Sequence, residues 1–297
     1  MKNIDVKGIL PAIVTPFDEN DKISFPVLEQ VVDAQFAAGV HGLTPMGSTG
    51  EYYAMTPTER ADVLRAVKEA ADGRGLLIAG TNGGSTREVL EHTQVAARLG
   101  YTTVLLPPPY YCLPTQDELL AHYQTVLAET DVNIMLYNFP LRAGVEVGYE
   151  VMDALAENPR VLGIKESSGN LLRALEIDRR YGDKIPLCCG SDDQAFDFFL
   201  WGAKSWICAP ANCLSAPIVK FYNAFTAGDL ATAQAVARAI YPVMNDMEAG
   251  KFVQKIKYGC ELLGLPVGLP RKPLLPLNEN EKKAFGSLLQ SVLSATA

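Results

Sequence analysis

From Ser85 to Glu118 the chain reads STREVLEHTQVAARLGYTTVLLPPPYYCLPTQDE. The stretch opens and closes on the same device. Ser85-Thr86-Arg87-Glu88 and Thr115-Gln116-Asp117-Glu118 both have the form of a capping box. In such a box a hydroxyl accepts from the N3 amide while the glutamate reaches back to the N-cap amide, so each marks a helix start. Between them the apolar run at 102–108 has strand character. A third box, Thr56-Pro57-Thr58-Glu59, carries proline at the first helical position, where its missing N–H costs nothing. The three boxes begin 29 and 30 residues apart, which is the length of one strand–loop–helix unit.

Working outward, strands are expected at 8–16, 41–47, 76–82, 102–108, 133–139, 161–166, 185–191 and 205–211. Amphipathic stretches with helical spacing fall between them, such as Val27, Leu28, Val31, Val32 and Phe36. Eight strands alternating with helices imply an α/β fold, a (β/α)8 TIM barrel over residues 1–225. A doubly wound open sheet is the competing architecture, and the absence of GxGxxG after the first strand weakens it. After Gly228 the pattern turns wholly helical, from Asp229 onward, over 250–264 and over 279–295. Pro266, Pro270, Pro273 and Pro276 separate the last two. Residues 226–297 therefore read as a C-terminal helical region packed on the barrel.

Bulk properties exclude several classes of function. The 297 residues are 48% hydrophobic and 20% charged, ordinary for a globular chain with a large core. A net charge of −8 without basic runs argues against nucleic acid and anionic membrane surfaces. No apolar run approaches the ~18 residues of a membrane span. Met1-Lys2-Asn3-Ile4-Asp5 has no apolar secretory stretch, so the cytoplasm is the expected compartment. Six scattered cysteines without a CxxC pair, and three histidines far apart, imply neither a zinc site nor a disulfide framework.

In a barrel, chemistry gathers at the C-terminal ends of the strands. There the apolar run Val161-Leu162-Gly163-Ile164 ends on Lys165, followed by Glu166-Ser167-Ser168-Gly169. Either Lys165 marks the strand's exit into solvent, or it is a buried amine. In the second case burial lowers its pKa and leaves a nucleophile for carbonyl compounds. Gly47-Ser48-Thr49-Gly50-Glu51 closes the second strand with a tight turn suited to an anion, a carboxylate more than a triphosphate. Tyr137-Asn138-Phe139-Pro140 closes the fifth, with a phenol that either packs or shuttles a proton. Pro107-Pro108-Pro109-Tyr110-Tyr111 places two aromatics on a stiff loop.

Together these motifs resemble the signatures of the dihydrodipicolinate synthase / N-acetylneuraminate lyase family. The resemblance runs from Gly8-Ile9-Leu10-Pro11-Ala12 through Cys189-Gly190-Ser191-Asp192-Asp193 to Arg271-Lys272-Pro273-Leu274-Leu275. It implies a class I lyase, in which Lys165 forms a Schiff base with pyruvate or another 2-oxo acid. No cofactor is implied beyond that covalent imine, and no metal. Ser48 and Thr49 would hold the acid's carboxylate, Tyr137 would relay protons, and Ile207 would offer its main-chain carbonyl to the substrate. Tyr111 would enter a neighbouring subunit's site, which implies a homotetramer built as a dimer of dimers.

Arg142 matches the arginine with which the synthases grip the carboxylate of aspartate semialdehyde, so condensation with an acid-bearing aldehyde leads. The alternative for Arg142 is a structural ion pair with Glu51 or Glu146. Departures point to catabolic members of the family. Cys112-Leu113 replaces an Asn and a basic residue, Ser48 stands for the usual Thr, and Phe139 and Leu141 make the pocket mouth apolar. Those members are 2-keto-3-deoxy acid or 4-hydroxy-2-oxoglutarate aldolases and dehydratases, or a cyclic-imine deaminase. Pro57 and Arg60 stand where some synthases keep histidines for feedback lysine, so no regulation through that site is expected.

Overall fold

Strands and helices alternate along residues 4–296, which are the residues described by the computed structural model. Met1–Asn3 and Ala297, the outer ends of the ranges 1–225 and 226–297, lie outside them. In chain order the strands are β1 (Gly8–Ile9), β2 (Gly42–Leu43), β3 (Leu76–Leu77), β4 (Ala79–Gly80), β5 (Thr103–Leu106), β6 (Asn133–Asn138), β7 (Val161–Glu166), β8 (Leu187–Cys189) and β9 (Ser205–Trp206). With β3 and β4 as two pieces of the third strand, the fold is the expected (β/α)8 barrel followed by C-terminal helices.

Several strands are shorter than expected, and proline is the reason at most of them. Pro11, Pro45, Pro186 and Pro210 fall inside four of the expected ranges and cannot donate to a ladder. Among the described residues a single parallel bridge, Ala12↔Thr44, continues β1 and β2 beyond their two residues. By contrast 161–166 forms strand over its whole expected length.

The chain groups into two compact units. One holds Leu77–Ile207 with residues 4–7, and the other holds Gly8–Leu76 with residues 208–296. In the first unit β4 to β9 pair in sequence order, each pair parallel. Every residue of β5 and β6 is buried, as befits parallel strands covered on both faces. The register sets Tyr137 beside Lys165, Lys165 beside Cys188, and Asn138 beside Glu166. Trp206 is fully buried, and its indole N–H donates to Asp192 Oδ1 at 2.8 Å.

In the second unit Asn212 ties the first strand segment to the helix Ala211–Thr226. Its amide donates to Ala12 O at 2.9 Å and its oxygen accepts from Val14 N at 3.0 Å. The expected terminal helices are Leu230–Glu248, Phe252–Leu262 and Glu279–Thr296. Leu230–Glu248 packs on Ala211–Thr226 and on Glu279–Thr296 through Ala233, Val236, Ile240, Val243 and Met247, spaced at helical intervals.

Two of the three capping boxes form completely, at Thr56/Glu59 and Thr115/Glu118. The third is half made. Ser85 accepts from Glu88 N, but the Glu88 carboxylate takes the amide of Gly84 at 2.8 Å, one residue upstream of the expected donor. Among the described residues no helix is long and apolar enough to cross a membrane.

Candidate active site

Lys165 is the penultimate residue of β7 and only 7% exposed. Its Nζ lies 4.4 Å from the centroid of the Tyr137 ring on the adjacent strand, within cation–π range. Tyr137 is itself buried, its ring 6.0 Å from that of Phe139. On the other side stands Cys188, whose thiol burial pushes up to about 11. Cys188 is therefore a neutral thiol at ordinary pH and no thiolate competes with the amine. A Cβ on Gly190 would lie 2.8 Å from Lys165 Cγ and 2.1 Å from Ser167 Oγ, so only glycine leaves room for the lysine stem.

Glu166, next to Lys165 and fully buried, organises the strand ends. Its Oε2 accepts from Asn138 Nδ2 at 2.8 Å and pairs with Arg173 Nε at 3.0 Å, while Oε1 accepts from Ser168 N at 2.6 Å. Arg173, on the helix Leu171–Tyr181, also donates to Val147 O and reaches Glu146 at 3.4 Å. Asn138 Oδ1 accepts from Val147 N at 2.9 Å. One carboxylate thus fixes the ends of β6 and β7 and the segment that follows the short helix Pro140–Ala143.

That short helix carries Arg142, exposed, with its guanidinium carbon 5.2 Å over the Phe139 ring. Glu146 is engaged by Arg173, and Glu51 by Lys257, so among the described residues neither ties Arg142 down. Tyr111 is 96% exposed, and its φ of 73° lies in the left-handed region, as does that of Leu113 at 49°. Ile207 is fully buried, its amide donating to Cys189 O at 3.1 Å. Of the residues singled out in the sequence, Lys165 and Tyr137 stand together and Tyr111 points into solvent.

Ser48 and Thr49 belong to the other unit, on a single 3₁₀ turn, Ser48–Gly50. Ser48 is half-buried and Thr49 buried. The turn is bracketed by two non-glycine residues in left-handed conformation, Met46 (φ 61°) and Glu51 (φ 59°). Thr15 Oγ1 donates to Gly50 O at 2.8 Å. Glu51 is fully buried. Its Oε1 lies 2.7 Å from Lys257 Nζ, close enough for an ion pair though not aligned as a hydrogen bond, and its Oε2 accepts from Arg271 N at 2.8 Å.

Lys257, only 1% exposed, also donates to Leu269 O at 3.0 Å. The Phe17 ring lies 4.1 Å from Lys257 Nζ and 4.3 Å from Arg271 Cζ. The Arg271 guanidinium pairs with Glu59 at 2.6 Å and with Asp21 at 3.2 Å, and its hydrogen bond holds the Glu59 carboxyl down at about 2. Burial lowers the Lys257 pKa from its ordinary value, and the Glu51 charge opposes that shift.

Sequence reasoning passed over Lys257, Arg173 and Asn138. For Lys257 a signal existed: it sits on the apolar stripe Val253, Ile256, Cys260 of its helix, where a lysine must find a partner. Among the described residues no group of three or more His, Cys, Asp or Glu is placed to hold a metal ion.

A barrel with a buried lysine at a strand end and a phenol on the neighbouring strand belongs to the lysine-bearing barrel enzymes. The chain is a member of the dihydrodipicolinate synthetase family, whose model matches residues 5–292. It is 34% identical over 284 residues to a 4-hydroxy-tetrahydrodipicolinate synthase of Geobacter metallireducens, covering 96% of this chain and 98% of that one. Against the synthase of Desulforudis audaxviator it is 31% identical over 287 residues, covering 97% and 98%. Among solved structures, the 4-hydroxy-tetrahydrodipicolinate synthase of Methylacidiphilum fumariolicum superposes with a TM-score of 0.94 at 27% identity, covering 98% of this chain and 97% of that one. A dihydrodipicolinate synthase of Bacillus anthracis gives 0.93 at 30% identity, covering 97% and 99%.

Proposed function

We propose that the protein is a class I lyase, joining pyruvate or a related 2-oxo acid to an acid-bearing aldehyde through a Schiff base on Lys165. The observation that carries this reading is Lys165 itself, a buried strand-end amine over the Tyr137 ring in a chain of this family. The amine attacks the keto carbon, and loss of water gives the protonated imine. That imine is an electron sink. A proton leaves the neighbouring carbon, and the enamine so formed attacks the aldehyde carbon, whose oxygen takes up a proton. Tyr137 carries protons at this centre.

Ser48 and Thr49, with their amides, hold the 2-oxo acid's carboxylate, and Ile207 presents its main-chain carbonyl. Arg142 receives the acid group of the aldehyde, as an exposed planar guanidinium can. Tyr111 completes the hydroxyl relay, with Ser48 and Tyr137, in the site of a neighbouring copy. Its exposure on a loop of restricted backbone supports that role and a homotetramer made of two dimers. The imine on Lys165 supplies the chemistry that a cofactor supplies elsewhere. Six cysteines in the thiol form, five of them buried, suit the reducing cytoplasm.

Borohydride reduction in the presence of pyruvate, followed by peptide mass mapping, tests the reading. A pyruvyl adduct on Lys165 is expected. No adduct with pyruvate or with any longer 2-oxo acid sinks it. Arg142→Ala is expected to raise KM for the aldehyde roughly 10- to 100-fold and leave that for pyruvate unchanged; equal loss for both removes Arg142 from its role.

One observation favours a second reading, a 2-keto-3-deoxy acid or 4-hydroxy-2-oxoglutarate aldolase or dehydratase, or a cyclic-imine deaminase. Ser167 Oγ is buried with no hydrogen-bond partner among the described residues, and a Cβ on Gly190 would crowd both it and the Lys165 stem; a substrate hydroxyl there would satisfy it. Faster turnover of a 2-keto-3-deoxy acid than of the condensation would establish that branch.

A further inference from the structure

We propose that Glu51 is a positioning residue: through Lys257 and the Arg271 amide, the C-terminal region sets the shape of the Ser48–Gly50 turn and thereby the affinity for the 2-oxo acid's carboxylate. The inference rests on the reading of Ser48 and Thr49 as the carboxylate clamp.

The geometry around the turn carries it. Glu51 follows the turn directly, and its amide donates back to Ser48 O at 3.2 Å, so the peptide that closes the turn belongs to the residue that anchors it. Its backbone is left-handed, φ 59° and ψ 35°, a conformation unfavourable for a residue with a side chain. Glycine would avoid that cost, and such outliers persist where the surroundings over-determine them. The carboxylate is the surrounding that does so: it is fully buried, with an ammonium at 2.7 Å and an amide at 2.8 Å.

Those two donors come from separate C-terminal segments, the helix Phe252–Leu262 and the strap that precedes the Lys272-Pro273 bond. The Phe17 ring lies within cation–π range of both the Lys257 ammonium and the Arg271 guanidinium, and the strap approaches Phe17 so closely that a Cβ on Gly268 would stand 2.0 Å from Phe17 O. The turn is therefore gripped from two sides, by Thr15 on Gly50 O and by this charge cluster on Glu51. Nothing in the imine chemistry uses Lys257. It is a second buried lysine, and this carboxylate is its counter-charge.

The test is Glu51→Asp, with borohydride trapping on Lys165 read against pyruvate concentration and, in parallel, against acetone, the same methyl ketone without the acid. Aspartate tolerates left-handed backbone and keeps the charge, but its carboxylate is one methylene short of Lys257. The expected result is a rise of roughly 10- to 100-fold in half-saturating pyruvate, with acetone trapping unchanged. Thr49→Ala is the companion variant and is expected to weaken pyruvate likewise.

Unchanged pyruvate affinity in Glu51→Asp, with a weakened Thr49→Ala, overturns the positioning role and leaves the clamp standing. No effect in either variant overturns both. Equal weakening for pyruvate and acetone marks general disruption and overturns the inference. Should Glu51→Asp fail to fold by circular dichroism, Lys257→Arg keeps the charge at altered reach and is judged by the same readings.

Discussion

Glu51 and Glu166 occupy matching places in different parts of the chain. Each is a fully buried carboxylate beside a residue assigned to the chemistry, Glu51 after Ser48-Thr49-Gly50 and Glu166 after Lys165. Their charges are answered in opposite ways. Glu166 finds its cation seven residues downstream, on the helix that follows its own strand, and adds a side-chain amide and a nearby backbone amide. Glu51 finds its backbone donor 220 residues downstream, at Arg271, and its cation nearby at Lys257. The carboxylate beside Lys165 is thus satisfied by its own strand–helix unit and the strand just before it, whereas the one beside the turn depends on the end of the chain. The first can form once β6, β7 and the helix Leu171–Tyr181 are in place; the second closes a loop of most of the protein.

The comparison breaks most sharply on removal of each cation. Arg173→Met and Lys257→Met should each cost about 3–5 kcal/mol in urea unfolding, because each strands a buried carboxylate. Neutralising the carboxylate as well separates them. Glu51→Gln with Lys257→Met should recover at least half of the loss. Glu166→Gln with Arg173→Met should recover less, since Arg173 serves both the Val147 carbonyl and Glu146 besides Glu166, whereas Lys257 serves the Leu269 carbonyl besides Glu51. Equal recovery in both would show that the two sites are built alike.

Acid distinguishes the two regions next. Burial depresses the His122 pKa to about 4 from 6.5. A depressed folded value means that the unfolded chain takes up the proton first. The stability is complete above pH 6.5 and is lost as pH falls towards 4, by up to about 3 kcal/mol. His122→Phe should flatten the stability profile in that window. In the other unit Glu59 lies at about 2 instead of 4.5, so its contribution is present above pH 4.5 and is lost as pH falls towards 2. Being partly exposed, it should account for only about 1 kcal/mol, removed by Glu59→Gln. An unchanged profile for either variant removes that residue from the acid response.

The smallest effect is expected at Tyr111. Its ring is 96% exposed, so Tyr111→Phe should change unfolding free energy by less than about 0.5 kcal/mol while lowering turnover roughly 100-fold. A large loss of stability with normal turnover would make it a packing residue.

What could be read from the sequence follows the same division between local and distant partners. The strand–helix alternation was legible because capping, periodicity and proline placement are local, and β7 has the bounds expected of it. Strands containing Pro11, Pro45, Pro186 or Pro210 were overestimated because their apolar character continues where their hydrogen bonding cannot. Lys165 stood out as a charge ending an apolar run. Lys257 is more deeply buried but sits in a helix that also bears Lys255 and Glu261, and its counter-charge lies some 200 residues away. The half-made box at Ser85 turns on which of two adjacent amides the carboxylate meets, a matter of ångströms that no spacing encodes.

The buried indole hydrogen-bonded to Asp192 gives the molecule an asymmetric optical signature. The chain has two tryptophans, Trp201 and Trp206, and both belong to the unit that bears Lys165. One is sealed and the other 42% exposed, so native emission should hold a blue component and a red one. The unit that bears Glu51 contributes nothing to either. Tryptophan emission is therefore a one-sided witness, and its departure from the circular dichroism curve would reveal whether the halves of this chain come apart together.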